Sequence, residues 1–211
     1  MKEIIIVGGG GFAKEIIWLA SSCGRSVRGL LDDNEEAQGN TLSGIDVIGR
    51  VSDWVDFQDC EFIIAIGSPR VRALVYRKMT ELGIPKFSTL VHPSVHMSKD
   101  VEIGEGSMIC AGSILTTEIK LGSHCILNLN VTVGHESELS DFVTVAPMAV
   151  ISGNVILEEC VEIGTGATLR QGLIVSKGAM LGMGGVLTKN IPQNCIFAGN
   201  PAKKLKELPE I

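Results

Sequence analysis

The chain has 211 residues, 45% of them hydrophobic but only 4% aromatic, with 25 glycines and a net charge of −6. Such a length supports one or two domains with a real core and needs no disulfide or metal staple, and the aliphatic content excludes disorder. The acidic balance argues against a nucleic-acid or anionic-membrane surface.

Cysteines 23, 60, 110, 125, 160 and 195 show no CxxC spacing. They read as small buried hydrophobes of a reducing compartment. The apolar run after Met1-Lys2-Glu3 is too short for a signal-peptide core, and the chain lacks an apolar stretch of about 18 residues. A soluble cytoplasmic protein is the expectation.

Residues 1–90 alternate apolar runs with helical patterns. The spacing predicts a strand over 3–7, a glycine turn over 8–11 and a helix over 12–23 that buries Ile16, Leu19 and Ala20. Strands follow over 27–31 and 61–66, then a helix over 70–82 behind Pro69, and a strand over 86–91. This is βαβ alternation, hence a small Rossmann-like parallel sheet with flanking helices. Gly8, Gly10 and Ala13 fit G-x-G-x-x-A between strand and helix, with Asp32-Asp33 about twenty residues later. Glycines there let a phosphate approach backbone at a helix N-terminus. A full dinucleotide fold needs two such halves, and one is present. The bland alternative is a turn that only packs strand against helix.

Over residues 91–211 the period changes. Every sixth residue from Val91 through Met97, Ile103 and Ile109 to Leu187 is aliphatic or Met, and a small or aliphatic residue follows four places later. Neither a period of 3.6 nor a sustained period of 2 produces this; a six-residue repeat is the signature of a parallel β-helix. The i residue then faces the axis, the i+4 residue fills a corner, and glycines after i, such as Gly104, Gly122, Gly134, Gly164 and Gly182, serve the bends.

Positions eighteen apart stack on successive coils. One column reads Thr117, His135, Gly153, Gln171, Lys189; another reads Cys110, Asn128, Ala146, Gly164, Gly182. A base beside a glycine, near a track of small residues, suits a slim flexible chain such as pantetheine, although bends need small residues anyway. His124 reads as a surface turn residue. Zinc needs three or four ligands, and His135 has no second histidine in its own or the adjacent column, so no metal is expected.

The repeat resembles the left-handed β-helix of hexapeptide acyltransferases, in which three hexads make one triangular coil. The run Asn128 to Glu136, then Asp141-Phe142, resembles the NeuD-type sugar acyltransferase family, which includes the nucleotide-(4-amino-sugar) N-acetyltransferases. The tail Ala198-Gly199-Asn200-Pro201-Ala202-Lys203 is similar to the terminal motif of these enzymes. Some members carry His at the positions of Phe12 and Thr144 and Glu at that of Gly134, so identity with those enzymes does not follow.

The resemblance implies an acetyl-CoA-dependent N-acetyltransferase, acting on the 4-amino group of a nucleotide-linked 4-amino-4,6-dideoxy-sugar in surface polysaccharide or glycan biosynthesis. It assigns His135 as general base and Glu136 as its orienting carboxylate. Asn128 holds the sugar's reacting group. Gly10, Gly11 and Phe12 lie near the sugar or phosphates, Asp32 and Asp33 near the nucleoside, and Gly67 and Ser68 line the pocket. Thr144, Gly153, Gln171, Gly182, Pro201, Ala202 and Lys203 belong to the coenzyme, with Lys203 or Lys204 near phosphate and the Gly153 N–H on the thioester oxygen. It also implies a homotrimer with active sites between subunits. O-acetylation of sialic acid or another sugar hydroxyl is an alternative, since the residues do not separate an amine from a hydroxyl. A non-catalytic nucleotide-sugar-binding trimeric scaffold is another, opposed by the His135-Glu136 pair.

Overall fold

The computed structural model describes residues 2–211. The chain divides into two compact units, Met1–Val91 and His92–Ile211.

In the first unit, β1 (Ile4–Val7), β2 (Val27–Leu31), β3 (Thr41–Leu42), β4 (Ile45–Gly49) and β5 (Glu61–Ile64) form one sheet in the order β3-β4-β2-β1-β5. The β4-β2-β1-β5 pairings are parallel, and β3 pairs antiparallel with β4. Helix α1 (Gly11–Ser22) joins β1 to β2, and α2 (Pro69–Glu81) follows β5. The expected elements are found within one or two residues of their ends, except the last strand. Only Leu90–Val91 is extended there, and Phe87 makes a lone parallel bridge to Phe62. The β3–β4 hairpin was not anticipated. Its turn residues Ser43 and Gly44 have φ of 50° and 81°, the doubly left-handed turn whose twist matches antiparallel strands.

The four residues of β1 are all buried, because a parallel strand flanked by helices has no solvent face. One face packs Ile5, Val7, Leu31, Phe62, Ile64 and Met79 around Trp54, whose ring meets Phe62 edge-on at 5.6 Å. Each such side chain contributes about 1.5–3 kcal/mol by leaving water. Gly29 in β2 makes room for the next strand, since a Cβ there would come within 2.6 Å of Ile48 Cδ1.

The second unit is a parallel β-helix of sixteen two-residue strands. Three faces repeat in turn. The first runs from His96–Met97 to Val186–Leu187, the second from Glu102–Ile103 to Ile174–Val175, and the third from Met108–Ile109 to Met180–Leu181. Each strand pairs with the one eighteen residues on, as Leu115 does with Val133 and Val133 with Ile151. The third face continues into Cys195–Ala198, which pairs antiparallel with Lys203–Glu207.

The axis-facing residues from Ile109 to Leu187 are buried, whereas Met97 is 46% exposed in the first turn of the coil. Buried Ser107, Ser113 and Ser137 at the i+4 position donate to the corner carbonyls of Gly122, Asn128 and Ser152. The glycines after i have a different cause from the one expected. Left-handed backbone falls at i+3, where every residue from Gly106 to Gly184 in register, including His124, Glu136, Phe142 and Cys160, has positive φ. Gly134 and Gly164 are instead needed because a Cβ would run into the backbone of the next coil, at Ser152–Gly153 and Gly182–Met183. His124 is also corrected: it is fully buried, its ring stacked on Phe142 with centroids 5.2 Å apart. The i+3 column puts the two rings one above the other, and their mutual cover keeps the imidazole from water.

Candidate active site

His135 and Glu136 occupy the corner after Thr132–Val133, between the first and second faces. Glu136 takes the left-handed φ of 57° that the corner demands, and this turns its carboxylate back onto its neighbour. Glu136 Oε2 lies 2.9 Å from His135 Nδ1. An ionised carboxylate can only accept, so in the neutral ring it is Nδ1 that carries the proton and Nε2 that keeps the lone pair. The ring leans over the next coil: a Cβ on Gly153 would meet Nε2 and would lie 2.6 Å from Cε1. Gly153 is therefore the floor on which the imidazole lies. Its own N–H makes no hydrogen bond among the described residues. A cleft of about 700 Å³ opens here, lined by His135, Glu136, Asn154, Arg170, Gln171 and Gly172. Asn154 and Arg170 were not picked out from the sequence; the eighteen-residue columns through Glu136 and Gly134 contain them.

The remaining coil residues lie elsewhere. Asn128 follows the third face, one corner before His135, and its Oδ1 accepts from the Leu129 N–H at 2.7 Å. Gly182 belongs to the same corner and packs against the tail, where a Cβ would come 3.0 Å from that of Ala198. The tail folds back through the cis Asn200–Pro201 bond; the Ala202 N–H donates to Val186 O at 2.8 Å, and Lys203 pairs with Ala198. Lys204 is engaged by Glu207 at 2.5 Å. Thr144 lies in the third face, 8% exposed. Within one chain the groove expected from the sequence is thus divided. His135, Glu136, Gly153 and Gln171 share one corner, whereas Asn128, Gly182 and the tail gather toward another.

In the first unit the glycine turn ends β1 and opens α1. Gly8 needs its φ of 103°, and a Cβ on Gly9 would press on Asp32. Gly10, Gly11 and Gly67 have neither reason, for a Cβ on any of them would meet nothing within 4 Å. Open space beside an uncapped helix N-terminus is room for a ligand. Ser68 is the residue before α2 and Phe12 the second residue of α1, both at the same edge of the sheet, after the carboxyl ends of β5 and β1. The two acids are largely occupied. Asp32 accepts from the Gly9 and Asn34 N–H groups. Asp33 accepts from the Val51 N–H at 3.0 Å and from Lys78 Nζ at 2.6 Å. Burial alone pushes the Asp33 carboxyl up, but Lys78 and the Val51 amide outweigh it and hold the group below the usual range. Among the described residues no cluster of His, Cys, Asp and Glu could hold a metal ion, and no helix is long and apolar enough to cross a membrane.

Comparison with known proteins bears on both units. A family described as the PglD N-terminal domain matches residues 3–79. GDP-perosamine N-acetyltransferase of Escherichia coli O157:H7 is 29% identical over 153 residues, covering 70% of this chain and 69% of the relative. The acetyltransferase domain of PglB from Neisseria gonorrhoeae, solved with acetyl coenzyme A, is 33% identical over 97% of this chain and 99% of its own, with a TM-score of 0.89. A histidine-to-asparagine mutant of perosamine N-acetyltransferase from Caulobacter crescentus, solved with CoA and GDP-perosamine, is 26% identical, covers 98% of both chains and has a TM-score of 0.90. The second unit is the left-handed parallel β-helix of such hexapeptide-repeat enzymes, and the first is their Rossmann-like partner.

Proposed function

The chain belongs to the PglD-type family of hexapeptide-repeat sugar N-acetyltransferases, and from that premise we propose that it acetylates the 4-amino group of a nucleotide-linked 4-amino-4,6-dideoxy-sugar, with acetyl-CoA as donor. The observation that carries this reading is the His135–Glu136 pair lying over Gly153 in an open cleft. The coenzyme supplies an acetyl group activated as a thioester. His135 Nε2 takes the proton from the sugar amine as its nitrogen forms the new C–N bond. Glu136 steadies the imidazolium through Nδ1, and the proton passes back to the departing sulfur. The free Gly153 N–H supplies a donor for the carbonyl oxygen. No cysteine lines the cleft, which favours direct attack over an acyl-enzyme.

The room beside Gly10, Gly11, Phe12, Gly67 and Ser68 takes the nucleotide-sugar, as the perosamine-type relatives bind a GDP-sugar. Asp33 acts there chiefly by tying the segment after β4, through the Val51 N–H, to α2, through Lys78. The division of the groove between two corners leads us to assign a trimer. The His135 corner of one copy faces a neighbour's Asn128 corner and tail, and Thr144, Gly182, Pro201, Ala202 and Lys203 serve the coenzyme from that side. The side chains of His135 and Glu136, 62% and 58% exposed in one chain, are then covered and water is excluded.

The amine reading is preferred to O-acetylation because the named relatives are N-acetyltransferases. Acetyl-CoA-dependent thiol release across UDP-, GDP- and dTDP-linked 4-amino sugars, with sialic acid included, tests it. Turnover is expected with one amino sugar; turnover with sialic acid alone would overturn it.

A further inference from the structure

The corner that carries His135 is charged differently on its two sides. On the N-terminal side, Glu118 and Asp100 precede Glu136 at eighteen-residue steps, so the nearest charge to the base there is a carboxylate, and the cation on that side of the corner, Lys99, stands two coils away beside Asp100. On the C-terminal side the same corner carries Arg170 and Lys189 on successive coils, the Arg170 N–H donating to Leu187 O at 3.0 Å. Both are exposed, and neither forms an ion pair among the described residues. Arg170 lines the cleft together with His135. Lys204 of the tail, by contrast, is held by Glu207.

Resting on the acetyl-CoA reading, we infer that Arg170 and Lys189 form a cationic track that binds the phosphate groups of the coenzyme on the C-terminal side of His135. The lengths agree. His135 Nε2 lies over the Gly153 coil, and successive coils are about 4.8 Å apart, so the Lys189 coil stands roughly 10 Å beyond it. An extended lysine adds about 6 Å, and the chain from thioester sulfur to first phosphate spans roughly 15 Å. Arg170, one coil beyond Gly153, reaches about 12 Å toward the same end with its longer side chain. The donor's negative charge then lies away from Asp100, Glu118 and Glu136, which would repel it. Arg170 presents a planar fork suited to bidentate phosphate contact, and Lys189 a point charge.

Titration calorimetry of the full chain with coenzyme A and with pantetheine, which lacks phosphates, tests the track without any acceptor sugar. A failed acceptor assignment therefore leaves the test intact. Arg170→Gln and Lys189→Gln are each expected to raise the coenzyme A Kd about tenfold, the worth of one charge-assisted contact. Arg170→Lys should recover part of that loss, and the double variant should show a weaker dependence of Kd on salt. Pantetheine affinity should not follow these changes. An equal loss for pantetheine would assign the residues a packing role and overturn the proposal. An unchanged coenzyme A Kd and salt dependence in the double variant, with the loss appearing in Lys203→Gln, would overturn it as well.

Discussion

The two units hold themselves together in different ways. In the α/β unit, Trp54, Phe62 and Met79 converge from distant parts of the chain on one cluster, and ion pairs such as Arg25–Glu61 at 2.7 Å tie its edges. In the β-helix each short strand pairs only with its counterparts eighteen residues before and after it. A repeat of that kind presents the same backbone frame at successive corners, on which outward side chains can differ. The α/β unit binds through glycines that leave space; the coil presents side chains on a fixed ladder.

The largest expected effect lies on the ladder. His135→Ala should lower acetyl transfer on the order of a hundredfold or more in steady-state assays, with thermal unfolding unchanged. Gly153→Ala displaces the same ring without removing it, and a loss of about tenfold or more in kcat is expected. If Gly153→Ala kept full activity, the imidazole would not need that floor. Core truncations sharpen the contrast in stability. Leu157→Ala in the coil and Ile6→Ala in the sheet should each cost about 2–5 kcal/mol in urea unfolding. The coil variant should become protease-sensitive near its own coils, whereas the sheet variant loosens its whole unit.

Gly10→Ala and Gly11→Ala meet no atom of the protein, so stability should hold while the KM for the nucleotide-sugar rises several-fold. Gly29→Ala, with Ile48 in the way, should do the reverse. The smallest effect is acid sensitivity in the first unit. The Arg25 guanidinium holds the Glu61 carboxyl below the usual carboxylate range. That stabilisation is complete above the unfolded carboxylate pKa of about 4.3 and fades as pH falls through the lower folded value. Arg25→Met should therefore narrow the difference between urea midpoints at neutral and acid pH.

The six-residue period was legible because each axis position admits only aliphatic side chains. The left-handed corners were not, since Glu118, His124, Asn130 and Phe142 share no chemistry; coil closure imposes their φ. His124 misled for that reason, a polar residue at a bend being ordinarily exposed. The β3–β4 hairpin escaped notice because β3 is two residues long and β4 is partly exposed. His135 and Glu136 stood out as an adjacent base and acid in register. Asn154 and Arg170 stand in the neighbouring columns, through Glu136 and Gly134, and nothing in their residue types announced a cleft.

The eighteen-residue register also governs how such a chain can change length. Adding or removing a whole coil leaves every corner on its own side and alters only the span between base and cations, by about 4.8 Å. Six residues more or fewer between His135 and Arg170 would instead carry the arginine a third of a turn round the triangle, off the corner it shares with the histidine. Insertions in this half of the molecule are thus quantised: the distance between two functional groups can be reset in coil-sized steps, and every smaller step changes which of them meet.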